Sequence, residues 1–284
     1  MTYGMISKNT ILLTGIPRSG TTLCCHLLNQ QDNAVALHEP LPPEIFDSIS
    51  KTGALKSIKQ FAHSARREVL SERSLPSKQI DGSIPSNPVE TDGSELRAEK
   101  VSLGRLNVNT TLARDFMLVI KHNALFTALL DKLAEQFRCF AIIRNPLATL
   151  ASWQTVNLPV QSGRVPLGER FDQKLKSQLD ALPDTIDRQL VILRWFYQRL
   201  TTSLDKEQII RYEDIIQTQG QVLSKLAGQD LGIAGELEDK NMNHLYKDLA
   251  IDVLCDHLES QNDIYENFYH LSELKTLADN IQSL

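Results

Sequence analysis

The sequence predicts a three-layer α/β/α fold built around a mostly parallel central sheet. Three observations predict it. Short apolar runs alternate with longer stretches whose apolar residues recur at helical spacing. The runs carry no alternating polar face, as expected of strands covered on both sides by helices. The chain has 284 residues, 42% hydrophobic and 23% charged, enough for one large domain with a substantial core and unlike a disordered or collagen-like chain.

The elements follow in order. Residues 10–15 (TILLTG) are an apolar run entering a glycine and predict a buried strand, with a helix at 21–29. Residues 35–37 predict a second, short strand. Pro42 and Pro43 open a helix at 44–50, and Leu55, Ile58, Phe61, Ala62, Ala65 and Val69 space a helix over 55–72. Residues 75–93 hold Pro76, Gly82, Pro85, Pro88 and Gly93 among Ser and Asp. That is loop chemistry of unusual length, so a candidate mobile insertion is placed at about 73–100.

Residues 116–120 (FMLVI) are the next strand, followed by Lys121-His122 and a helix at 124–137. Residues 139–143 (CFAII) form a strand ending at Arg144. Asn145-Pro146 then starts a helix to about 156, with proline in its favoured first turn. Two prolines and two glycines make 158–168 a loop, and a substrate loop is expected at about 157–170. Helices at 169–182 and 185–203, a strand at 208–212 (QIIRY), a helix at 214–228 and a broken helical stretch from 243 complete a single domain over 1–284.

Charge and composition narrow the function. A net charge of −5 argues against a nucleic-acid partner, which calls for a basic face. The four cysteines, Cys24, Cys25, Cys139 and Cys255, form no C-x-x-C pair and read as reduced packing residues. His26, His63, His244, His257 and His270 show no metal-ligand spacing, and no metal is expected. No run reaches the ~20 apolar residues a membrane span needs, and residues 1–9 carry no long apolar core of a leader. The expectation is a cytoplasmic protein without a membrane span.

Residues 15–22, Gly-Ile-Pro-Arg-Ser-Gly-Thr-Thr, set two glycines four residues apart between a strand and a helix. Glycine lets backbone N–H groups turn inward, and a helix N-terminus adds positive potential, so the segment suits a phosphate. The loop lacks the lysine that a nucleoside triphosphatase places before its last Ser/Thr; that position is Thr21, and the cation is Arg18. The strand ends offer Gly15, Lys121, Arg144 and the run Tyr212-Glu213-Asp214, of which only the last could supply a carboxylate for Mg²⁺. Three clusters, 15–22, 121–123 and 144–152, follow strands directly and therefore share the sheet's carboxyl edge, where such folds bind ligands.

These residues resemble the P-loop sulfotransferases that use 3′-phosphoadenosine 5′-phosphosulfate, PAPS. Pro17-Arg18-Ser19-Gly20-Thr21-Thr22 is similar to the loop of bacterial and tyrosylprotein-type members. Arg144 with Ser152 eight residues on is similar to the family's 3′-phosphate motif, and Arg211-Tyr212-Glu213-Asp214 and Lys121 match further elements in order. The resemblance covers roughly 10–40 and 115–228. The glycine-rich C-terminal segment of the small-molecule enzymes is absent, so another segment must close over the nucleotide.

The resemblance implies sulfuryl transfer from PAPS to a hydroxyl of a small-molecule acceptor, leaving the desulfated nucleotide PAP. Pro17, Arg18, Ser19, Gly20, Thr21 and Thr22 would hold the 5′-phosphosulfate, Arg144 and Ser152 the 3′-phosphate, and Tyr212 a position near the nucleotide. Arg18 and Lys121 would stabilise the leaving group. Glu39, in Leu37-His38-Glu39-Pro40, is the candidate general base, with His38 and His122 as rivals. His122 lies one residue short of the family's histidine position, which here is Asn123. Trp153 is read as core rather than an adenine platform. Two alternatives remain open: a P-loop small-molecule kinase, and a non-catalytic nucleotide-binding protein of the same fold.

Overall fold

The computed structural model describes residues 7–91, 96–233 and 236–284. Its centre is a five-stranded sheet in the order β2-β7-β1-β8-β9, every pairing parallel. The strands are β1 (Thr10–Gly15), β2 (Ala34–His38), β7 (Met117–Lys121), β8 (Arg138–Ile143) and β9 (Ile209–Arg211). Every residue of β1, β2 and β7 is buried. Successive side chains of a strand face opposite ways, so complete burial requires cover on both faces. Helices supply it, and the predicted α/β class and parallel sheet are what the chain adopts.

The first half runs β1, α1 (Thr21–Leu28), β2 and α2 (Lys51–Glu72). Ser50 caps α2, accepting the Gly53 N–H at 3.2 Å, so this helix starts before residue 55; the helix expected at 44–50 is only a 3₁₀ turn at Pro43–Phe46. The stretch read as a long loop is mostly paired backbone. β3 (Ser74–Gln79) and β6 (Ser102–Asn107) form an antiparallel ribbon, with a smaller pair between them, β4 (Val89–Glu90) and β5 (Ala98–Glu99). Pro76 misled the sequence reading: a two-stranded ribbon consists only of edges, where a missing N–H is tolerated. Gly93 and its neighbours 92, 94 and 95 lie outside the described residues.

After β7 the expected single helix is two, α3 (Asn123–Ala128) and α4 (Leu130–Leu133), because Leu129 leaves helical geometry at φ −113° and ψ 10°. The Thr14 hydroxyl donates to the Asn123 carbonyl at 2.8 Å and meets the Thr127 hydroxyl at 2.7 Å, pinning α3 to β1. α5 (Pro146–Gln154) begins under the Asn145 cap. The expected loop at 158–168 ends early, since Pro166 opens α6 (Pro166–Phe171); α7 (Gln173–Ala181) and α8 (Thr185–Ser203) follow, each started by an Asp cap. Past β9 come α9 (Tyr212–Gln217) and α10 (Ser224–Ala227) in place of one helix, then α11 (Ile251–Glu259) and α12 (Leu271–Gln282). Among the described residues no helix is long and apolar enough to cross a membrane.

Candidate functional site

All five parallel strands end on one edge, and each is followed at once by a residue of one cleft: Pro17 and Arg18 after β1, Glu39 after β2, His122 after β7, Arg144 after β8, Tyr212 after β9. The cleft encloses about 1210 Å³. The chain enters the sheet at β1, goes to the edge strand β2, returns to β7 between them, and then crosses β1 to β8 and β9 on the other side, so the loops after β1 and β8 lead to opposite sides. Diverging loops open a crevice at such a point.

The glycine loop is tight for identifiable reasons. A Cβ on Gly15 would stand 2.4 Å from the Ile142 carbonyl oxygen. That oxygen accepts the Ile16 N–H at 3.1 Å and the Ser19 hydroxyl at 2.8 Å, which ties the loop to β8. Gly20 has φ +90°, and its Cβ would meet the Tyr212 ring at 2.8 Å. With Gly20 as its cap residue, α1 starts without any side-chain cap, leaving the amides of its first turn to the cleft. Thr21 and Thr22 line the cleft just there. Trp153 is fully buried and donates its indole N–H to the Pro17 carbonyl at 2.9 Å, so its role is to brace the loop from behind.

Three guanidiniums gather beside this loop. Arg144 is 4% exposed. It donates to Asn241 Oδ1 (2.7 Å), the Arg18 carbonyl (3.0 Å) and the Lys240 carbonyl (2.6 Å), and it stands 4.9 Å from the Tyr212 ring centre. Arg18 Nε donates to Ser152 Oγ (3.3 Å) and its Nη2 to Asn87 Oδ1 (3.1 Å). Arg97 Nη2 donates to the Thr155 hydroxyl (2.6 Å) and to Ser152 Oγ (3.4 Å). Among the described residues no ion pair links any of the three to a carboxylate. Burial, then Arg97 and Arg144, push Arg18 down to about 9. Burial raises the Tyr246 phenol, but Arg144, a hydrogen bond to Ser152, Arg97 and Arg18 bring it below its ordinary value.

The opposite wall is built on Glu39, at φ +45°. Its N–H donates to the Lys121 carbonyl at 2.9 Å, which holds it against the end of β7. Lys121 Nζ meets Oε1 at 2.8 Å and Lys78 Nζ meets Oε2 at 3.0 Å; Lys78 also reaches Glu99 at 2.8 Å. Burial raises the Glu39 carboxyl, and Lys121, His122, Lys78 and His38 overcome it and hold it well below the usual range. Burial lowers both histidines. Neutral His122 donates its Nε2–H to the Leu41 carbonyl at 3.1 Å, which leaves Nδ1 as an acceptor; the buried Nδ1 of His38 has no partner.

The sequence-selected residues therefore converge. Pro17, Arg18, Gly20, Thr21, Thr22, Glu39, Lys121, His122, Arg144 and Tyr212 all line the cleft. Ser19 and Ser152 are fully buried; Ser19 is consumed by the loop's own brace, and Ser152 lies behind Arg18 and Arg97. Sequence reasoning missed Lys78, Asn87 and Arg97, all in the stretch read as loop, and Asn241 and Tyr246 in the unmatched C-terminal region. A lone arginine in a Ser/Gly/Asp-rich segment was the one available signal for Arg97.

The segment that crosses this end of the cleft runs through 236–246. The Tyr212 hydroxyl receives the Lys240 N–H at 3.0 Å, and Asn241 is held by Glu213 Oε1 at 2.9 Å. Glu213 also accepts the Asn145 N–H (2.9 Å) and the Tyr269 hydroxyl (2.8 Å), so this carboxylate, just past β9, is a brace between elements. Among the described residues no three His, Cys, Asp or Glu side chains gather as a metal site.

No family model matches the chain, and no curated protein does. Among solved structures, the chain is similar to a sulfotransferase, STF1, from Mycobacterium tuberculosis H37Rv in its type 1 form. The two are 12% identical, the match covers 89% of this chain and 77% of that one, and the TM-score is 0.34.

Proposed function

We propose that the cleft binds PAPS and that the chain, as one domain over 1–284, is a cytoplasmic sulfotransferase acting on a hydroxyl of a small-molecule acceptor. The observation that carries this reading is the group of three guanidiniums with no carboxylate partner among the described residues, set beside an uncapped helix start that follows a glycine loop. Such a donor set matches a ligand with two separate phosphate-type anions. Bound PAPS would supply a sulfuryl group, whose departure leaves negative charge on the 5′-phosphate.

In this reading Gly20 gives its backbone N–H to the 5′-phosphate and Thr21 and Thr22 add hydroxyls, whereas Ser19, expected among the donors, spends its N–H on the Ile16 carbonyl at 3.1 Å and its hydroxyl on Ile142, and so shapes the loop instead. Arg144 and Ser152 serve the 3′-phosphate, and the Tyr212 ring sets the plane of Arg144. Arg18 and Lys121 are the cations for charge developing on the leaving group. Glu39 accepts the acceptor's proton, with His122 Nδ1 as second candidate. A carboxylate held by two ammonium groups is a weak base, so the assignment requires that Lys121 or Lys78 release Glu39 during turnover. Leu158, Val165 and Leu167 give the acceptor end an apolar wall.

A kinase would need a carboxylate for its metal; Glu213 is engaged in holding Asn145, Asn241 and Tyr269, and Glu39 is paired with Lys121 and Lys78. The test is calorimetric titration with PAP, with ATP plus Mg²⁺ and with AMP. Metal-independent binding of PAP, at least tenfold tighter than AMP, is the expected result. A preference for ATP with Mg²⁺ would overturn the reading in favour of the kinase. PAP bound without turnover on any acceptor of a broad panel would favour a non-catalytic nucleotide-binding protein.

A further inference from the structure

The stretch between β3 and β6 does more than cover the sheet. Its return leg is stitched to the end of α5 by backbone on both sides of one residue. The Arg97 N–H donates to the Thr155 carbonyl at 3.0 Å, and the Arg97 carbonyl accepts the Asn157 N–H at 2.9 Å. This fixes the Cα of Arg97 independently of its side chain. The side chain then runs inward, 7% exposed, to the same Ser152 hydroxyl that Arg18 reaches. From the outgoing leg, Asn87 accepts a hydrogen bond from Arg18 at 3.1 Å.

A buried guanidinium, Arg97, and a half-buried one, Arg18, meet on the Ser152 hydroxyl with only the Tyr246 phenol beside them, a third guanidinium nearby and, among the described residues, no carboxylate partner; that is an unfavourable arrangement by itself. Like charges out of water repel, and a serine oxygen offers little compensation. A doubly charged phosphomonoester reverses the balance, because each guanidinium can then make a charge-assisted hydrogen bond. A purely structural arginine at 97 would be served by the Thr155 carbonyl and hydroxyl alone. Its reach past them to Ser152, into the cleft that Arg18 and Arg144 line, is what that role leaves unexplained.

We infer that Arg97 is a ligand-binding residue: the insertion supplies a third guanidinium, beside Arg144 and Arg18, to the 3′-phosphate site proposed above. This rests on the nucleotide reading above and deepens it. It makes the insertion, which no part of the sequence resemblance covers, a determinant of which nucleotide is held.

The experiment titrates the wild type, Arg97→Ala, Arg97→Gln and Arg97→Lys with PAP and with AMP by calorimetry, with thermal melts in parallel. Arg97→Ala and Arg97→Gln are expected to weaken PAP by about 10- to 100-fold, the worth of a charged hydrogen bond, and AMP by less than about twofold. Arg97→Lys should recover part of the loss. Lowering the pH from 7.5 to 5.5, through the second phosphate ionisation at about 6, should weaken PAP more in the wild type than in Arg97→Gln. If the wild type itself fails to prefer PAP over AMP, the nucleotide reading falls and this inference falls with it. If the wild type prefers PAP but the folded variants lose PAP and AMP equally, or lose neither, Arg97 is only a tie between insertion and α5, and the inference is overturned while the nucleotide reading stands. Should Arg97→Ala and Arg97→Gln both melt out, the decision passes to Arg97→Lys: a PAP-selective loss supports the site, and equal affinities refute it.

Discussion

Glu39→Gln tests the central electrostatic arrangement without requiring any ligand. The substitution keeps shape and hydrogen-bonding capacity but removes the charge between Lys121 and Lys78. Lys121 has a 3% exposed side chain and Glu39 a 21% exposed one, so the first pair is close to fully buried, while Lys78, at 26%, is partly screened. Leaving one partner of a buried pair uncompensated costs about 3–5 kcal/mol, and the residual exposure of Glu39 brings the expectation to about 2–3 kcal/mol at pH 7. For a chain of this size that is a fall of about 4 °C in midpoint temperature. Glu39→Gln with Lys121→Met should recover most of the loss, because the stranded ammonium is gone. The pH dependence has a definite sign. The folded carboxyl lies well below its ordinary value, so its contribution is complete above about pH 4.5 and shrinks as the pH falls below that, when the unfolded chain takes up a proton first. Urea unfolding of wild type and both variants between pH 7 and pH 3 reads all of this. A single variant within about 0.5 kcal/mol of wild type at pH 7, a gap that does not narrow on acidification, or a double variant no better than the single would refute the buried-pair argument.

Gly20→Ala should destabilise the protein by about 1–2 kcal/mol, since its φ of +90° is unfavourable for an L side chain and the Cβ would press the Tyr212 ring at 2.8 Å; a melt unchanged within 1 °C would contradict this. Arg144→Lys cannot reproduce three divergent donations to Asn241, Arg18 and Lys240, so hydrogen exchange at the Lys240 and Asn241 amides should rise at least tenfold while the core strands stay protected. Burial works against Asp172, yet hydrogen bonds from Arg199, the Trp195 indole and the Leu175 N–H hold it down at about 2. Its contribution, about 1 kcal/mol once solvent screening is allowed for, is therefore present above pH 4 and lost as the pH falls toward 2; Asp172→Asn should remove it at pH 7 and flatten that acid limb.

Much of the cleft was legible in the chain because its pieces are local. A strand, two glycines and a helix start occupy one stretch of sequence, and the same is true of Arg144 with its following helix. The parallel order of the sheet then requires every strand end to face the same edge, so Gly15, Glu39, Lys121, Arg144 and Tyr212 meet without long-range information about side chains. The ribbon of β3 and β6 was illegible for the opposite reason. Its pairing joins Ser74 to Asn107 across a Gly/Pro-rich interval, and local composition reports the interval while the pairing depends on its two ends. The early start of α6, by contrast, is a local matter, set by Pro166 in its first turn.

By itself the sequence determined the α/β class, the strand–glycine loop–helix unit and the placing of its candidate residues on one edge, because periodicity, glycine positions and strand polarity are properties of short segments. The tertiary structure alone decided the partners. It set Glu39 between Lys121 and Lys78, drew Arg18 to Ser152, made Glu213 a brace and delivered Arg97 from an insertion to the cleft. These are contacts between residues up to more than a hundred positions apart. Whether a charge finds a counter-charge, a hydroxyl or nothing depends on which distant segments the folded chain brings together.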